Sequence, residues 1–78
     1  MFEHKAGKAT NDEMRKARDF LSNEPWGMAA TWQVAANLKI STVRARKILR
    51  VMEAGEDVRL SLRYSTRNNL VWELMPQP

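Results

Sequence analysis

Apolar residues recur along this chain with two different periods, and the change of period divides it. Met14, Ala17, Phe20 and Leu21 fall within one arc of about 120° at 100° per residue, leaving Arg15, Lys16 and Asp19 outside it. "TNDE", residues 10–13, precedes them with the spacing of a capping box, so a first helix starts there. It ends near Asn23, because Pro25 disfavours helix at the residue before it. "PWGMAA", residues 25–30, is too short and too interrupted for a helix and reads as a brief extended link or a very short strand. Thr31 then offers an N-cap to a helix of about two turns with Val34, Ala35 and Leu38 inward. Ile40 plugs the following turn and Ser41 caps the next helix, in which Ala45, Ile48, Leu49 and Met52 follow the i, i+3, i+4, i+7 spacing over 42–54. Gly55 is placed as its left-handed terminator.

Beyond Gly55 the period drops to two. Val58, Leu60, Leu62 and Tyr64 alternate with Arg59, Ser61 and Arg63, and Leu70, Trp72 and Leu74 alternate within "LVWELM". The turn-forming cluster "STRNN", residues 65–69, joins the two runs into a hairpin spanning 58–75. The expected class is therefore α+β: three helices followed by a two-stranded hairpin, in one domain over 10–75 with short tails at 1–9 and 76–78.

Composition narrows the chemistry. Hydrophobic residues make up 44% of the 78, enough for a core, and there is no cysteine, which removes disulfides, thiolate zinc sites and thiol nucleophiles. His4 is the only histidine and no glycine-rich phosphate loop is present, so no catalysis, metal, cofactor or small-molecule ligand is expected. No apolar run approaches the roughly 20 residues that span a bilayer, and nothing resembles a signal peptide; a cytoplasmic protein without a membrane partner is expected.

Charge then changes the picture. Thirteen Lys and Arg against nine Asp and Glu give +4, and the excess is polarised: residues 39–50 hold five basic residues and no acid. On the third helix Val43, Lys47 and Arg50 lie opposite the apolar stripe, with Arg44 and Arg46 on its flanks. An outward cationic face suits a polyanion.

Two short helices joined by a tight turn, the second basic on its outer face, form a helix-turn-helix pattern. "TWQVAANLKISTVRARKIL", residues 31–49, resembles the helix-turn-helix core of bacterial regulators, with Ala35 at the close approach of the helices and Leu38 and Ile40 bracketing the turn. With a helix in front and a hairpin behind, residues 10–75 resemble the winged helix-turn-helix transcription regulators of bacteria and phages, similar in size and element order to small regulators of fimbrial operons. One departure stands out: Lys39 occupies a turn position where such motifs often carry Gly, and Lys at positive φ is mildly strained.

The resemblance implies sequence-specific binding of double-stranded DNA, with 42–54 as recognition helix and 58–75 as wing. Thr42, Val43, Arg46 and Lys47 would reach base edges, while Arg44 and Arg50 would contact phosphate. Arg67 at the hairpin tip would touch a phosphate or the adjacent minor groove. Such a module gains useful affinity as a homodimer or with another regulatory protein. Two other roles fit the same fold: a protein-interaction module using Trp32, Val43 and Val51, or an excisionase-like architectural factor that bends DNA. Among the tryptophans, Trp72 is expected in the core against the first and third helices and Trp26 as a cover over the first. Trp32 lies about 160° from Val34 and so off the inward arc, which makes it a candidate partner contact.

Overall fold

A computed structural model describes residues 9–76. Three helices, α1 (Asn11–Ser22), α2 (Thr31–Leu38) and α3 (Thr42–Ala54), pack with three short strands, β1 (Met28–Ala30), β2 (Val58–Leu60) and β3 (Val71–Leu74). The expected tails fall almost wholly outside the described residues, as does His4.

Each helix end follows from local chemistry. Thr10 Oγ1 accepts from the Glu13 amide at 3.1 Å while the Thr10 amide donates to Glu13 Oε1 at 3.0 Å, the reciprocal pair that "TNDE" predicts. Helix α2 begins one residue earlier than expected. Its N-cap is Ala30, whose amide donates to Gln33 Oε1 at 2.8 Å, and Thr31 is the first helical residue. The Thr31 hydroxyl is used elsewhere: it accepts from Trp72 Nε1 at 2.8 Å and donates to the Leu70 carbonyl at 3.3 Å. At the end of α2, Lys39 takes the left-handed conformation (φ 60°, ψ 46°), and the Ile40 amide donates back to Ala35 at 3.0 Å. This six-residue closure tucks Ile40 against the core and keeps the turn tight at a cost of about 1–2 kcal/mol for a non-glycine residue.

Helix α3 has the bounds its periodicity predicts, but its terminator differs. Gly55 has φ −87°, and the left-handed residue is Glu56 at φ 62°. The Asp57 amide closes onto Met52 at 2.8 Å, so the reversal comes one residue later than the glycine.

The sheet is antiparallel in the order β1-β3-β2, with Ala29 opposite Trp72 and Leu60 also opposite Trp72. The expected two-stranded hairpin thus gains a third strand from the link before α2. Its β2 arm is shorter than the alternation predicts. Ser61, buried, turns the chain: its Oγ accepts from the Tyr64 amide at 3.3 Å and its carbonyl from the Ser65 amide at 2.9 Å. The Ser61 amide still donates to the Val71 carbonyl at 2.8 Å, but its hydroxyl and carbonyl serve the turn that follows, and the strand ends there. Leu62 and Tyr64, expected inward, are consequently exposed. The chain rejoins β3 through Ser65, whose hydroxyl exchanges hydrogen bonds with Val71, and through the tight turn 66–69, with Arg67 and Asn68 at its tip.

The core lies where α1, α2 and α3 meet the inner face of the sheet. Trp72, Leu21, Ile48, Leu49, Met52, Val34 and Val58 are fully buried within it. Trp72 is inside, as expected. Trp26 is not: it is 86% exposed. Its backbone is left-handed (φ 58°), followed by Gly27 at φ 65°, and this paired reversal after Pro25 turns the indole outward.

Candidate nucleic-acid interface

Helix α3 is fixed from beneath by Ala45, Ile48, Leu49 and Met52 and from its start by Ser41, whose hydroxyl accepts from the Arg44 amide at 3.0 Å. These anchors decide which α3 side chains face away. Val43 is 73% exposed, an apolar residue with no cover among the described residues, and Thr42, Arg46 and Lys47 are exposed around it.

The wing approaches from the side. Thr42, Arg46 and Arg50 of α3, Thr31 and Trp32 of α2, and the wing residues from Arg67 to Leu70 line a cleft of about 490 Å³. Three arginines from two elements converge there, and no carboxylate is among the lining residues. A second, open groove runs along the outer side of α3 past Val43, Lys47 and Val51, with Arg46 and Arg50 shared between the two. Among the described residues, no carboxylate pairs with Arg46, Lys47 or Arg67.

The remaining cations of α3 and the wing are engaged within the protein. Arg50 meets Glu53 at 3.0 Å and lies over the Trp72 ring with its guanidinium carbon 5.2 Å from the centroid. Half-exposed, it still borders both grooves. On the wing, Arg59 pairs with Glu73 at 3.1 Å and Arg63 stacks over Tyr64 at 5.7 Å, so neither contributes to the cleft.

Arg44 departs most from expectation. Instead of pointing toward phosphate, its guanidinium makes a two-point contact with Glu13 of α1, Nη2 to Oε1 at 2.6 Å and Nε to Oε2 at 3.0 Å, with both side chains largely covered. The Arg44 hydrogen bonds hold the Glu13 carboxyl below the usual carboxylate range; burial opposes this and the Thr10 amide adds to it. The carboxylate in turn raises Arg44 above the ordinary arginine value. The acid that neutralises Arg44 lies 31 residues upstream, so a window from 39 to 52 without acids does not reveal it. Its only sequence trace is Glu13 itself, which already had a role in the capping box.

Trp32, 59% exposed, lines both the arginine cleft and a further open groove of mixed lining beside β1 and β3. Thr31, Asn68 and Asn69 complete the cleft and were not singled out as contacts by the helical pattern of α3. Among the described residues no three His, Cys, Asp or Glu side chains gather as a metal site requires, and no helix is long and apolar enough to cross a membrane.

No protein-family model matches the chain, and no curated protein matches it. Among solved structures, that of ZitR, a zinc-responsive MarR family member from Lactococcus lactis, superposes with a TM-score of 0.64 at 19% identity, over 87% of this chain and 44% of that one. The fold is a winged helix-turn-helix. The chain spans less than half the length of that regulator, and at this identity the likeness concerns the fold. Within the winged helix-turn-helix, α2, the turn at Lys39 and α3 form the helix pair, and β2, β3 and the 61–70 loop form the wing, extended by β1. The resemblance to winged helix-turn-helix transcription regulators read over residues 10–75 therefore holds for the architecture. It also accounts for the convergence just described, because this fold brings the wing and the third helix to one side.

Proposed function

We propose that the chain binds double-stranded DNA as a sequence-specific transcription regulator, with α3 in the major groove and the wing on the flanking backbone. The observation that carries this reading is the acid-free cleft in which Arg46 and Arg50 of α3 meet Arg67 of the wing tip. Arg46 and Lys47, without carboxylate partners among the described residues, are the candidates for guanine acceptors, and Val43 for a thymine methyl. Thr42 stands beside them at the start of the helix, where base contacts are made in this arrangement. Arg67 and Arg50 hold phosphates on either side of the cleft. Arg44 drops out of the contact set and instead fixes the pitch of α3 against α1 through Glu13.

No step of chemistry is required of this site. It acts by occupying DNA, and control comes through abundance, partner proteins or the state of the DNA. Titrating salt in a DNA-binding assay tests the reading: neutralising about four to six phosphates gives a log-log slope of roughly −4 to −5. A slope near zero overturns it.

A further inference from the structure

Next to the arginine cleft, on the far side of Trp32, the outer face of the sheet and the start of α2 border an open groove of about 450 Å³ with a mixed apolar and polar lining. Met28, Trp32, Tyr64 and Val71 line it and Trp26 stands at its rim. We propose that this groove is the contact surface of a reversible homodimer, in which Trp26 of each copy enters the groove of the other. The inference is independent of DNA binding and rests on four features of the surface.

The first is Trp26 itself. A bulky residue in the left-handed region is strained, and at 86% exposure its indole gains nothing from the described part of its own chain. Strain that projects an aromatic side chain into solvent is compensated by a surface outside the protomer. The second is shape. One patch carries both a protruding indole and a concavity, and a patch of that kind is complementary to its own copy across a two-fold axis.

The third is charge. The chain has a formal net charge of +4, but no Lys or Arg lines the groove and its one ionised lining residue is Glu24. Two copies meeting here keep their cations apart, whereas a nucleic-acid strand finds no counter-charge. The fourth is area. Trp26, Trp32 and Tyr64 are 86%, 59% and 54% exposed, which at about 150–250 Å² per aromatic leaves on the order of 300–500 Å² per copy to bury. That is below the ~800 Å² per partner of a standard stable interface, so the dimer is weak and forms at high concentration or when two copies lie side by side. Trp32 and Asn69 border both the groove and the arginine cleft, so each cleft begins at the dimer seam.

Sedimentation equilibrium of the full chain without DNA, from about 1 µM to about 1 mM, tests the proposal. The wild type shifts from monomer toward dimer mass across that range. Trp26→Gly, which removes the indole and relaxes the positive φ, weakens dimerisation at least tenfold with a melting temperature equal to or above wild type; Tyr64→Ser weakens it as well. A wild type that stays monomeric throughout overturns the proposal, as does normal dimerisation of both variants. A lower melting temperature for Trp26→Gly shows that the indole packs within its own chain, and also overturns it. DNA affinity at monomeric concentrations is unchanged in Trp26→Gly; a loss there assigns the groove to nucleic acid instead. Failure of the wild type to bind DNA leaves the sedimentation result intact.

Discussion

The two sides of α3 teach different lessons from the same dozen residues. On the inward side Ala45, Ile48, Leu49 and Met52 are buried and Arg44 is tied to Glu13; on the outward side Val43, Arg46 and Lys47 are exposed and make no carboxylate contact among the described residues. Arg44 and Arg46 are the same residue type two positions apart, and about 200° of rotation separates a structural cation from a candidate ligand-binding one. A basic helix is therefore not one feature. Substitutions on the inward side should change stability and leave intrinsic DNA affinity alone, and substitutions on the outward side should do the reverse.

The strongest way to break that separation is at the residue on which α3 and the sheet both rest. Trp72→Ala removes a fully buried indole and its bond to Thr31, and is expected to cost about 3–5 kcal/mol in urea denaturation, much of the stability of a domain this small. Next, Arg46→Ala with Lys47→Ala should weaken DNA binding by about 10- to 100-fold, roughly 1.4–2.7 kcal/mol, with an unchanged melting temperature and circular dichroism spectrum. Unchanged binding would mean that α3 is not the recognition helix.

Glu13→Gln comes third, with an expected loss of about 1–2 kcal/mol from the Arg44 contact, since a glutamine oxygen can still accept from the Thr10 amide and keep the capping box. Its pH dependence has a definite sign. The folded-state Glu13 carboxyl titrates below its ordinary value, so its stabilisation is complete above the usual glutamate range and disappears as pH falls through the depressed one. The stability gap between wild type and Glu13→Gln, measured by urea midpoint, should thus be widest near neutral pH and narrow below about pH 4. The smallest effect is expected at Lys39→Gly, which relaxes the left-handed turn and should change stability by no more than about 1 kcal/mol in the favourable direction. Destabilisation there would show that the Lys39 side chain, not the backbone, supports the turn.

Much of this was legible in the sequence because the relevant forces are local. The capping box of α1, the bounds of α3 and the burial of Trp72 follow from spacing within a turn or two. The readings that failed needed information from farther away. Arg44 reads as outward from the helix alone because its partner belongs to a different helix. Alternation places Leu62 and Tyr64 inward because it cannot show that the chain turns at Ser61, whose amide still bonds to Val71 while its carbonyl and hydroxyl serve the turn. Trp26 was assigned to the core because burial preference says nothing of two successive positive φ angles, and the third strand was hidden in a segment too short to display a period. Within the candidate site, the α3 contributors were visible as a face, whereas the meeting of Arg67 with Arg46 and Arg50 depends on how the wing folds back.

The Thr31 hydroxyl joins the start of α2, the indole of Trp72 and the carbonyl of Leu70 at the foot of the wing. Together with the Thr31 amide, which donates to the same carbonyl at 3.0 Å, this hydroxyl ties the start of α2 to the foot of the wing. Because tilting the wing would break these bonds, on the proposed DNA-binding reading a duplex whose grooves do not match the angle of the wing would have to deform to fit, and the stiffness of the bases between the two contacts would become part of what is discriminated.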